Sequence, residues 1–103
     1  MLKNKILKNI ETFSTDFTEC NNNGECGNAT HIRITKNVNK NAFKNNRMIR
    51  SVVIEQGAIF IGVQAFLACT NLRTVVIEQG VRNIGPHAFS GCTNLRTIVI
   101  PPG

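Results

Sequence analysis

The sequence predicts an α/β solenoid: a right-handed coil of about 23 residues per turn, with a short parallel β-sheet and an N-terminal helical cap. Three observations carry that expectation. The phrases "IRSVVIEQG", "LRTVVIEQG" and "LRTIVIPPG" begin at Ile49, Leu72 and Leu95, each 23 positions after the last. Stretches 50–72 and 73–95 align without a gap and share 15 of 23 positions. A fixed period of this size is the signature of a stacked repeat, in which no unit can bury its apolar side alone.

In chain order, residues 1–30 form an N-terminal cap or irregular segment rich in Asn and Lys. Leu2, Ile6, Leu7, Ile10 and Phe13 fall near one face of a helix, with Lys and Asn opposite. Such a helix would cover the first coil, whose open rung otherwise exposes unpaired backbone. A basic amphipathic helix lying on a membrane surface shares the pattern, although Glu11 and Asp16 weaken it. No stretch approaches the roughly 20 apolar residues of a membrane span. Nor is there an apolar run fit for a secretory signal, so the chain is expected in the cytosol, or as a piece of a longer protein whose signal lies elsewhere.

The repeats occupy residues 31–103: a divergent unit (31–49), two full units (50–72 and 73–95) and a partial one (96–103). In the divergent unit Ile32 and Ile34 take the strand positions, and Ala42-Phe43 stands one full period before Ala65-Phe66. The turn between its strand and its second half is about three residues shorter than in later units. "LRTVVI" is rich in β-branched residues and favours a strand. The spacing of Leu72, Val75 and Ile77 gives one interior three apolar side chains, and Thr74, Val76 and Glu78 alternate to the opposite face. Gly80 stands where the chain must turn. Ile84 then points inward, Gly85-Pro86 starts a short helical turn, and Ala88, Phe89 and Cys92 close the coil. Phe43, Phe66 and Phe89 should form one column. The last strand leaves Ile98 and Ile100 uncovered, which predicts either further coils or an edge that meets another chain.

The pattern "LxxVxIxxGVxxIGxxAFxGCxxL" resembles the BspA-like leucine-rich repeat family over roughly residues 31–103, most specifically over 50–102. Asn39 and Asn46 depart from it, replacing the glycine of "IG" and the cysteine. The resemblance implies a leucine-rich-repeat coil and a non-catalytic module that binds another protein, often within a larger surface or adhesion-type protein.

Few side chains suggest chemistry. Cys69 and Cys92 stand one period apart, within the Cα separation a disulfide permits, but their core position favours buried free thiols. Cys20 and Cys26 bracket "NNNGE"; the spacing matches no common zinc site and only His31 lies near enough to add a ligand, so a local disulfide, formed in an oxidising compartment, is preferred to zinc. His31 and His87 cannot be assembled into a nucleophile–base–orienter set, so no catalytic residue, metal or cofactor is assigned. The expected binding surface is the outward strand face: Ser51, Val53, Glu55, Thr74, Val76, Glu78, Thr97 and Val99. Arg50, Arg73 and Arg96 form a basic column beside it.

The partner expected is therefore a protein, with self-association through the open C-terminal edge as a further contact. A structural solenoid segment without a ligand is the alternative. Nucleic acid or an acidic surface ranks last: the net charge of +6 permits it, but neither an aromatic stacking platform nor a recognised motif accompanies the basic residues.

Overall fold

In the computed structural model, which describes residues 17–100, each copy of the repeated phrase is one rung of a parallel sheet. Seven strands appear in chain order: β1 (Thr18–Glu19), β2 (His31–Ile34), β3 (Ser51–Ile54), β4 (Phe60–Ile61), β5 (Thr74–Ile77), β6 (Asn83–Ile84) and β7 (Thr97–Val99). The larger sheet runs β1-β2-β3-β5-β7, all parallel; β4 and β6 pair in a second, smaller sheet. Ser51 lies opposite Thr74 and Thr74 opposite Thr97, so identical repeat positions pair, one full period apart.

The divergent first unit obeys the expected shortening. Val38 bridges Ile61 at the full period, whereas His31 pairs with Ser51, a separation that falls short of it by three. The missing positions therefore lie between the strand and Val38. Upstream, Thr18 pairs with Ile32 across a connection shorter again. The two residues of β1 show no β-branched alternation, which is why the sequence carries no sign of that strand.

Between the sheets runs one apolar interior of repeat-equivalent rows. Ile32, Val52 and Val75 form one, Ile34, Ile54 and Ile77 another, and all six are buried. The three phenylalanines stack as expected: the ring centroids of Phe43 and Phe66 are 5.0 Å apart and those of Phe66 and Phe89 5.3 Å, with planes tilted by 3° and 4°.

The helical part of the α/β expectation is not supported. No helix occurs among the described residues, and the cap helix expected over residues 2–13 lies outside them. The segment after Gly85 is not a helical turn either. His87 and Gly91 have φ of 59° and 74°, left-handed values that break any helix. Its carbonyls instead face the previous coil: the N–H groups of Gln64, Phe66 and Ala68 donate to Pro86, Ala88 and Ser90 at 3.1, 2.8 and 2.7 Å. One coil earlier, Asn41, Phe43 and Asn45 donate to Val63, Ala65 and Leu67. A third ladder thus holds the coils together.

Ile84 corrects a second expectation. It is 48% exposed, whereas Ile61, its neighbour one coil back, is 1% exposed. Ile61 is covered by the coil that carries Ile84, and no later residue covers Ile84 in turn among those described. Ile98 and Ile100, 43% and 65% exposed, show the same end effect, as the sequence anticipated.

Candidate functional site

The outward strand face was expected to be open, and the structure places its residues unevenly. Along the row nearest the strand starts, Ser51 and Thr74 are half-buried and Thr97 is exposed. In the middle row Val53 and Val76 are only 4% exposed and Val99 is half-buried. At the far end Glu55 is half-buried, and Glu78, at 4%, is buried. The expectation that Val53, Val76 and Glu78 are exposed is therefore overturned. A valine flanked in register at about 4.8 Å on both sides, with neighbours fore and aft, keeps little open surface. Alternation fixes which face a side chain takes, but not how much of it water reaches.

The face carries an ion-pair network that the sequence reading missed. Arg33 lies in register with Glu19 on one side and Val53 on the other. Its guanidinium donates to Glu55 Oε2 at 3.2 Å and Glu19 Oε1 at 3.4 Å, while Thr35 Oγ1 donates to Glu19 Oε2 at 3.1 Å. The signal was available: once Ile32 and Ile34 occupy the interior, Arg33 must share a row with Val53, and Glu55 follows as a diagonal neighbour. Glu55 and Glu78, one full period apart, are thus held differently. The first is held by Arg33; the second is buried and engaged.

Arg50, Arg73 and Arg96 stand together at the corner where the chain enters the sheet, and all three are exposed. Their backbones are linked directly: Arg73 N–H donates to Arg50 O at 2.8 Å and Arg96 N–H to Arg73 O at 2.9 Å. Guanidiniums at the strand spacing repel by roughly 1 kcal/mol per adjacent pair in a water-like dielectric, and by less with salt.

The cysteines are four free thiols. Cys69 Sγ donates to Phe43 O and Cys92 Sγ to Phe66 O, both at 3.1 Å, one period apart. The Cys92 thiol beside it, together with burial, pushes the Cys69 thiol well above its usual range. The same neighbour relation draws half-buried Cys92 down to about 7. Burial, with Cys26 beside it, raises the Cys20 thiol, which stays protonated. Cys20 lines a cleft of about 360 Å³ with Glu19, Asn21, Asn22, Thr35 and Lys36.

His31 hydrogen-bonds to Thr30 Oγ1 at 2.8 Å and meets Phe17 edge-on; His87 bonds to Ser90 Oγ at 3.1 Å. The two histidines are not brought together. Among the described residues no group of three His, Cys, Asp or Glu is placed to hold a metal, and no helix is long and apolar enough to cross a membrane.

A family model described as a BspA type leucine rich repeat region, in six copies, matches residues 4–103 and so begins well upstream of His31. No curated protein and no solved structure gives a match.

Proposed function

The chain belongs to the BspA-type leucine-rich repeat family, and on that premise we propose that it is a non-catalytic protein-interaction module, part of a larger surface or adhesion-type protein. One observation carries the reading. Side chains at equivalent positions stand in straight columns on a hydrogen-bonded backbone, as Ser51, Thr74 and Thr97 do, the first two on strands paired on both sides. A partner that docks on such a surface orders little that folding has not ordered already, so more of the contact energy appears as affinity. With Val53, Val76 and Glu78 buried, the surface on offer is the strand-start row and the corner beside it.

The experiment places a photo-crosslinking residue at Thr74 or Thr97, identifies what is captured, and titrates that purified protein against the chain. The reading predicts one saturable partner, lost in Thr74→Arg/Thr97→Arg. Capture of nothing at either position supports the alternative, a structural segment with no ligand of its own.

A specific observation favours a second contact. Ile84, Ile98 and Ile100 are exposed at the C-terminal end of the stack, where β7 has a free edge among the described residues. Apolar side chains beside an unpaired strand are a template for a second chain. Sedimentation over a range of concentrations should show association that Ile98→Lys abolishes; a concentration-independent monomer would contradict this contact.

A further inference from the structure

We infer that Arg50, Arg73 and Arg96 form a docking column for an acidic α-helix of a protein partner, a proposal that rests on the interaction-module reading. The column is built into the fold. Each arginine occupies the same repeat position and directly precedes a strand of the larger sheet, and each is exposed. The backbone bonds from Arg73 to Arg50 and from Arg96 to Arg73 hold them one strand spacing apart. The corner itself is fixed: the Asn71 and Asn94 amides donate to Arg47 O and Thr70 O at 2.6 and 2.7 Å. Arg47, whose carbonyl takes the first of these bonds, is also exposed.

Among the described residues no carboxylate answers these charges. The ion pairs there join Arg33 to Glu19 and Glu55, and none includes Arg50, Arg73 or Arg96. Glu55 and Glu78 sit five positions along their strands, about 16 Å away by the strand rise. Folding alone gains nothing from aligning like charges, whereas a partner that presents carboxylates at the same interval gains from every rung.

The interval selects the partner. Three rungs at about 4.8 Å span about 10 Å. Carboxylates at i, i+4 and i+7 of an α-helix span about 10.5 Å in one line, with neighbouring Cβ atoms about 5–6 Å apart. Alternate residues of an extended peptide are about 6.6 Å apart and overrun the column by the third position. Each guanidinium offers a planar fork to a carboxylate, and the hydroxyls of Ser51, Thr74 and Thr97 lie one position further along.

The test uses fluorescence anisotropy with three labelled probes: a helix-forming peptide bearing Glu at i, i+4 and i+7, a scrambled peptide of the same composition, and random duplex DNA. The helical peptide should bind, more weakly as salt rises, and better than the scrambled one. The triple variant Arg50→Gln/Arg73→Gln/Arg96→Gln should lose about tenfold in affinity, the sum expected of three exposed pairs. Its melting temperature checks the fold; should it unfold, Arg73→Gln alone, in the middle of the column, still predicts a measurable loss. The inference is overturned by no binding, by equal binding of the scrambled peptide, by an unaffected variant, or by tighter binding of the duplex, which would make the column a nucleic-acid contact. If the triple variant still crosslinks the same partner through Thr74 or Thr97, this inference fails and the interaction-module reading stands. If the wild-type chain captures nothing, that reading fails.

Discussion

Twice in the second half of each coil the backbone passes through the left-handed region, at Asn41, Gln64 and His87 and again at Asn45, Ala68 and Gly91. Asn and Gly suit that geometry; Ala68, at φ 59°, does not. Ala68→Gly should therefore raise stability by about 1 kcal/mol and Gly91→Ala lower it by about as much, read from urea midpoints. Gly62 is constrained by space instead: a Cβ there would lie 2.6 Å from the Lys40 backbone nitrogen. Gly62→Ala should cost about 2 kcal/mol or more by the same measurement, because backbone cannot step aside as a side chain can. The thiol pair makes a pH prediction. Cys92, held near 7, should alkylate with iodoacetamide progressively from neutral pH upward, whereas Cys69, pushed up and fully buried, should stay unmodified in the folded chain. Equal rates would contradict this coupling of the two thiols. The asparagines show what composition conceals. Runs that read as irregular are ordered: Asn21 Oδ1 accepts from the N–H groups of Asn23 and Glu25, Asn37 Oδ1 from Ile59 and Phe60, and Asn46 Oδ1 from Met48 and Ile49. Their amides do the work of backbone where coils are short, a role that spacing alone cannot reveal.

At the scale of the element, burial depends on neighbours along the stack as much as on alternation. Val75 and Ile98 hold the same repeat position and pair directly, yet one is fully buried and the other 43% exposed. Val75→Ala should thus cost about 2 kcal/mol in chemical denaturation and Ile98→Ala well under that. Equal costs would mean that the last coil is covered. The strands β3, β5 and β7 were legible because β-branched residues recur at a constant interval, and the interval itself supplied the register. Four elements were not, among them β4 and β6, whose two residues each are too few to show an alternation. β1 is short, and its spacing from β2 matches no other pair of rungs. The stretch after Gly85 carries Pro86 at what looks like a helix start, yet while its N–H groups close local turns, its carbonyls accept from the neighbouring coil. A local signal competed there with a non-local ladder, and the ladder won. The candidate surface was legible in outline for the same reason. Columns follow from period, but the burial of Val53, Val76 and Glu78 and the capture of Glu55 by Arg33 arise only when coils are laid side by side.

The molecule as a whole is a one-dimensional stack, each coil resting on the next, with stability accumulating through nearest-neighbour contacts. The apolar end at Ile84, Ile98 and Ile100 and the arginine corner both follow from that order: the first because no described coil follows, the second because repetition aligns every charge it copies. Nuclear Overhauser contacts among the phenylalanine rings probe this stacking most directly. The account predicts Phe43 in contact with Phe66, Phe66 with Phe89, and no contact between Phe43 and Phe89. Absence of the Phe66–Phe89 contact, with Phe89 near some other part of the chain, would contradict it.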